Sequence, residues 1–210
     1  MFPSYIARIY GQTHFFPQPL AKGTAMPGFH PSVCVFCGSR PGVDPAMLQA
    51  ARDTGALLAR RGWRLVYGAG DIGLMGEVAR ATQAAGGRTF GVIPTHLMHG
   101  EVARRALDTL VITETMHERK KVMFANSQAI VVLPGGAGTL DEFFEVLTWS
   151  QIGLHAKPVV LLDVGGFWQP LLALIDHVIA QGFAAPGLKA LLQVVPDVAA
   201  LEAALERALG

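Results

Sequence analysis

The stretch Ala129-Ile130-Val131-Val132-Leu133-Pro134-Gly135-Gly136-Ala137-Gly138-Thr139-Leu140 passes from an unbroken apolar run through a glycine turn into a helical pattern. An apolar run without polar alternation describes a strand buried on both faces, and such strands belong to parallel sheets covered by helices. The same unit repeats on either side of it. Upstream, strands over residues 33–37, 64–67, 89–93 and 109–112 alternate with helices over 45–61, 74–85 and 116–126; downstream, strands over 158–162 and 191–195 alternate with helices over 140–151, 168–181 and 198–209. Repeated βα units with right-handed crossovers predict a doubly wound, mostly parallel α/β sheet. Ligands of such sheets bind beyond the carboxyl ends of the strands.

The chain has 210 residues, 51% of them hydrophobic and 16% charged, with 17 Lys and Arg against 16 Asp and Glu, which suits one domain of ordinary size. A net charge of +1 without any dense basic run excludes a protein built to grip nucleic acid through its phosphates. No apolar stretch reaches the roughly 18 residues of a membrane span. The two cysteines, Cys34 and Cys37, supply neither a disulfide framework nor a four-ligand zinc site, and a reducing cytoplasm is the expected compartment. Residues 1–30 hold four prolines and no periodicity, and read as a poorly structured extension that precedes a single domain over 31–210.

Three predicted strands end in turns of glycine or small residues: Cys37-Gly38-Ser39, Gly68-Ala69-Gly70 and Pro134-Gly135-Gly136-Ala137-Gly138-Thr139. Glycine lets the backbone approach a ligand, and the helix that follows offers unpaired N–H groups at the positive end of its dipole. Converging on one crevice, the three turns point to an anion, most simply a phosphate; each could also be only a tight turn. Gly68-Ala69-Gly70-Asp71-Ile72-Gly73 matches the dinucleotide fingerprint, yet the next strand leads into Pro94-Thr95-His96 instead of the acidic residue that would hold a ribose. The glycine run 135–138 has no P-loop lysine, which disfavours a triphosphate.

On the helix over 140–151, helical spacing groups Leu140, Phe144 and Leu147 as the core face and sets Glu142 and Glu145 opposite. Glu142, in the first turn after the glycine loop, projects toward whatever that loop holds, or else complements the helix dipole on a solvated face. On the helix over 116–126, Arg119 shares its side with Met116, Val122, Met123 and Asn126 and therefore leans inward. A buried guanidinium needs a partner, either a ligand or a carboxylate at the crevice, or a structural ion pair.

The runs Cys37-Gly38-Ser39, Gly73-Leu74-Met75-Gly76, Met116-His117-Glu118-Arg119-Lys120 and Pro134-Gly135-Gly136-Ala137-Gly138-Thr139-Leu140-Asp141-Glu142 together resemble the Lonely Guy family, the cytokinin riboside 5'-monophosphate phosphoribohydrolases. The resemblance covers roughly residues 33–183. It implies a Rossmann-like fold, catalytic roles for Arg119 and Glu142, and substrate contacts at Gly38, Ser39, Met116, Lys120, Gly135, Gly136, Gly138 and Thr139. It also implies a homodimer acting on a nucleoside monophosphate, with no cofactor and no metal. Ala69 departs from the family pattern, where glycine is common. The label of lysine decarboxylase that such proteins long carried does not fit, because nothing in this sequence looks like a pyridoxal-phosphate lysine site.

The residues suit that chemistry in their own right. Cleavage of an N-glycosidic bond passes through an oxocarbenium-like sugar that a carboxylate such as Glu142 stabilises while it orients or deprotonates water. The departing purine gathers negative charge, which the donors of Arg119 can meet. The alternatives are a nucleotide-binding carrier or sensor without catalysis, and a less selective purine nucleotide nucleosidase. Cys34-x-x-Cys37 lies along a strand, where positions three apart face opposite sides, so it reads as structural. His96, His99 and Glu101 fall in a loop that gives no fixed ligand geometry. Trp149, Trp168 and Phe183 read as core or subunit contact.

Overall fold

The computed structural model describes residues 30–98 and 107–210. The expected extension, apart from His30, lies outside the described residues, as do His99 and Glu101. The elements run β1 (Ser32–Phe36), α1 (Pro45–Arg60), β2 (Arg64–Tyr67), α2 (Gly73–Ala84), β3 (Thr89–Pro94), β4 (Thr109–Thr113), α3 (Met116–Ala125), β5 (Ala129–Val132), α4 (Ala137–Gln151), β6 (Val159–Leu162), α5 (Gln169–Ala180), β7 (Gln193–Val195) and α6 (Val198–Leu209). They form a seven-stranded sheet in the order β4-β3-β2-β1-β5-β6-β7, and every pairing is parallel. The last strand is shorter than its apolar run suggests, because residues Pro186–Leu191 form a 3-10 turn before it.

Strand alternation divides the core into two layers. Val33, Val35, Ala129, Val131, Val160 and Leu162 point to one face, where α1, α2 and α6 cover them. Cys34, Phe36, Ile130, Val132, Val159 and Leu161 point to the other, beneath α3, α4 and α5. Both free thiols are buried, Cys34 in the second layer and Cys37 in the first, so they face away from each other. None of the described helices is long and apolar enough to cross a membrane.

Local signals start the helices where the site needs them. Asp44 caps α1 by accepting from the Ala46 N–H at 2.9 Å, with Pro45 in the first turn. Thr115 and Glu118 form a reciprocal capping box at the start of α3. The face assigned to α4 is corrected: Phe143, Val146 and Leu147 pack in the core with Thr139 and Glu142 on the same buried side, while Phe144 is 38% exposed. The solvated-face reading of Glu142 therefore falls.

Helices α1 and α2 meet at Gly55, where an added Cβ would lie 2.3 Å from the Val78 carbonyl oxygen. Intrinsic propensity favours alanine in a helix by about 1 kcal/mol, but backbone overlap of this kind cannot be relieved by rotating a side chain. Gly55→Ala is thus expected to destabilise the fold by about 1–3 kcal/mol, read as a fall in melting temperature; unchanged or raised stability would contradict this packing.

Candidate active site

The sheet order reverses direction between β1 and β5. After β1 the chain leaves for the face of α1, and after β5 for the face of α4, so a crevice opens between the two carboxyl ends. A cavity of about 640 Å³ occupies it. The turns interlock around Gly38, whose N–H donates to the Pro134 carbonyl at 3.0 Å and whose carbonyl accepts from the N–H groups of Leu74 and Met75 at 3.0 and 3.3 Å. Gly73, at φ +59°, packs so closely on this turn that a Cβ would lie 2.3 Å from the Ser39 carbonyl carbon.

This arrangement corrects one expectation. Two amides of the first turn of α2, those of Leu74 and Met75, are spent on the Gly38 carbonyl, so this helix start is largely used up by the fold. The dinucleotide fingerprint over 68–73 is used as structural packing instead. Ala69 adopts φ +60°, a left-handed conformation that suits glycine, and its Cβ is accommodated beside Gly91, where a second Cβ would come within 2.8 Å.

Helix α4 does offer its N-terminus. Its N-cap, Gly136, contributes no side-chain bond, and Leu140 N–H to Gly136 carbonyl is the first bond of the helix, so the amides of Ala137, Gly138 and Thr139 precede the ladder at the cavity wall. The glycines here divide into two kinds. A Cβ at Gly135 would lie 2.1 Å from Thr139 Oγ1 and 2.9 Å from the Gly38 nitrogen, whereas at Gly136 and Gly138 it would meet nothing within 4 Å. Packing requires the first glycine; the other two leave open space beside the free amides. Ser39 and Arg40 line the cavity too, and Arg40 has no ion-pair partner among the described residues.

Arg119 and Glu142 also line this cavity, 5% and 8% exposed. Arg119 donates from Nε to the Val92 carbonyl at 3.1 Å and from Nη2 to the Gly68 carbonyl at 2.9 Å, while Nη1 lies 3.9 Å from the Met116 thioether. The partners of the guanidinium thus include the backbone carbonyl just past β2 and one within β3, which hold its plane while the side chain lines the cavity. The Cys37 thiol, in the same wall, is pushed well up by burial and then by the Glu142 charge, with Arg119 pulling the other way. The thiol therefore stays protonated and is no nucleophile.

Of the substrate contacts implied by the sequence, Gly38, Ser39, Met116, Gly135, Gly136, Gly138 and Thr139 line the cavity with the two charged residues. Lys120 does not; its ammonium is bound to Asp141 and Glu145 outside it. Sequence reading missed Arg40, Met75 and Phe167, which also line the cavity. Arg40 was legible as a cation directly after a small-residue turn, whereas Met75 and Phe167 carry no signal that separates them from core. Trp168 is buried, Trp149 packs edge-on against Phe124, and Phe183 is exposed; none lines the cavity.

A family model described as "Possible lysine decarboxylase" matches residues 75–205. A probable cytokinin riboside 5'-monophosphate phosphoribohydrolase of Oryza sativa subsp. japonica is 47% identical over 174 residues, 83% of this chain and 77% of that protein. The chain belongs to the Lonely Guy family. Cytokinin riboside 5'-monophosphate phosphoribohydrolases of Rhodococcoides fascians and Arabidopsis thaliana are 43% and 41% identical, each over 83% of this chain and over 88% and 80% of their own lengths. Among solved structures, a molybdenum cofactor carrier protein from Chlamydomonas reinhardtii superposes with a TM-score of 0.66 at 27% identity, covering 86% of this chain and 99% of that one. The family model's description finds no support in the cavity, since no lysine lines it among the described residues.

The seat of Arg119 depends on the missing side chain of Gly68, where a Cβ would lie 1.9 Å from Arg119 Nη2. The obstacle is the mobile end of a side chain, so Gly68→Ala should fold with only a modest fall in melting temperature while displacing the guanidinium. If Arg119 serves catalysis, turnover should fall on the order of a hundredfold; full turnover with normal folding would show that this seat is unimportant.

Proposed function

We propose that the protein hydrolyses the N-glycosidic bond of adenosine 5'-monophosphates, N6-substituted or plain, releasing the free cytokinin or adenine base and ribose 5-phosphate. The observation that carries this reading is the convergence of two buried charges, Arg119 from α3 and Glu142 from α4, on one cavity whose wall includes the open amides of α4. The names of the relatives point to the same reaction.

The 5'-phosphate fits the end of α4, against the amides of Ala137, Gly138 and Thr139, with the Thr139 and Ser39 hydroxyls near and Arg40 as the exposed cation at the mouth. That anchor places the sugar toward Glu142. As the bond from C1' to the purine nitrogen breaks, its electron pair leaves with the base, and the carboxylate stabilises the cationic sugar and takes a proton from the water that attacks C1'. Arg119 meets the charge gathered on the purine, and the proton finally resides on the released base. Met75 and Met116 provide adaptable apolar surface beside the arginine.

We place the enzyme in the cytoplasm as a homodimer. Two unpaired buried thiols suit a reducing compartment. Phe144, Ile152 and Leu154 leave apolar surface along α4 and just past its end, and light scattering that gives a monomer would refute the dimer.

The decisive experiment supplies AMP and an N6-substituted AMP side by side and measures free base and ribose 5-phosphate. Tight binding without turnover of either would favour a carrier instead. Glu142→Gln should lower the rate on the order of a hundredfold or more with folding and nucleotide binding intact. Arg119→Lys, which keeps the charge but loses the planar fork, should also lose most of the rate, and the double variant should be little worse than the poorer single one. Near-normal hydrolysis by Glu142→Gln would refute the mechanism. Gly138→Ala adds a methyl group where the protein itself has room, so its melting temperature should hold or rise while affinity for the monophosphate falls about tenfold or more. Unchanged affinity would remove the phosphate from the start of α4.

A further inference from the structure

Lys120 follows Arg119 directly on α3, and Asp141 precedes Glu142 directly on α4. The Lys120 side chain is 7% exposed, and its Nζ lies 3.0 Å from Asp141 Oδ2 and 3.2 Å from Glu145 Oε2. Asp141 and Glu145 stand one turn apart on a single side of α4, so one ammonium grips that helix at two successive turns. The two helices rest on different parts of the sheet, α3 against β3 and β4, and α4 against β1. The clasp ties the two helices to each other directly, in addition to the sheet they share, and it sits one residue away from both charged members of the cavity.

We propose that Lys120 is a positioning residue: by clasping Asp141 and Glu145 it sets the register of α3 on α4, and with it the spacing of the Arg119 guanidinium and the Glu142 carboxylate across the cavity. This rests on the reading of those two residues as the catalytic pair. It also replaces the substrate contact that the sequence implied for Lys120. A helix carries its side chains rigidly, at a rise of about 1.5 Å per residue, so a slip of α3 by a fraction of that rise moves Arg119 by a comparable distance. Misplacement of about 1 Å in a reacting constellation can cost on the order of a hundredfold in rate.

The test compares Lys120→Met, Lys120→Arg and the double variant Asp141→Asn with Glu145→Gln, in the full chain. The expected result is a kcat lowered at least about tenfold in Lys120→Met and in the carboxylate double variant, with KM for the monophosphate and the dissociation constant of ribose 5-phosphate within about threefold of the parent. Lys120→Arg, which can still span the two carboxylates, should recover most of the turnover. A second readout needs no catalysis. The Arg119 Nε–H, held by the Val92 carbonyl, gives a nitrogen–proton NMR signal whose shift and exchange rate should change in Lys120→Met and return toward the parent in Lys120→Arg. If Lys120→Met instead raises KM and the dissociation constant tenfold with kcat retained, Lys120 touches substrate and the proposal fails. An unmoved Arg119 signal, or unchanged kcat, also overturns it. Should the parent hydrolyse no nucleotide at all, the function proposed above fails, while the Arg119 signal still decides for or against the clasp.

Discussion

The peptide groups on either side of Gly38 hold the ends of two strands and the start of a helix together. The N–H of Gly38 reaches the Pro134 carbonyl after β5, and its carbonyl takes the first free amides of α2. Everything on the cavity side of the sheet inherits its position from that junction. Gly73 can approach only because it lacks a side chain and takes a left-handed turn, and Gly135 can lie beside Gly38 for the first of those reasons. The effect is to spend the N-terminus of α2 internally and leave that of α4 free. One crevice with two glycine-rich walls thereby gains a single direction, with the amides at the start of α4 as its open end.

Within this frame the costly element is the burial of Arg119. A guanidinium removed from water loses its hydration, and the chain offsets this with the Gly68 carbonyl just past β2 and the Val92 carbonyl of β3. The same bonds fix the plane of the side chain. An arginine held only by a surface carboxylate would keep its charge but not its orientation, and reaction with a planar leaving group depends on orientation. The neutral, buried Cys37 thiol in the same cavity wall adds no reactive group of its own.

The strands were legible because burial on both faces removes polar alternation, and Ala129 to Leu133 is an extreme case. Arg119 was legible because its helical neighbours Met116 and Met123 are apolar. Helix α4 was misread for a physical reason: its inner stripe holds Thr139 and Glu142 beside Phe143, Val146 and Leu147, since that stripe faces core along most of its length and a cavity at its start. A rule that sends carboxylates to solvent necessarily assigns such a face to the wrong side. The family resemblance implied a substrate contact for Lys120, and its place outside the cavity was not legible because the carboxylates that bind it lie 21 and 25 positions away on another helix.

The glycines show why a motif alone cannot separate scaffold from site. Gly73 and Gly135 are confined by backbone atoms of the turn around Gly38, so the fold itself needs them, whereas Gly68 is confined chiefly by the Arg119 guanidinium and so is needed for the seat of that side chain. Gly136 and Gly138 meet no atom of the chain within 4 Å, and at Gly138 a helix would even favour alanine. Openness alone does not mark a ligand, because the surface Gly187 meets nothing within that distance either; what sets Gly136 and Gly138 apart is that both line the cavity at the start of α4. Sorting glycines by what a methyl group would strike therefore separates those the fold needs from those it leaves open, and only their place in the cavity makes the second kind candidates for contact with a ligand.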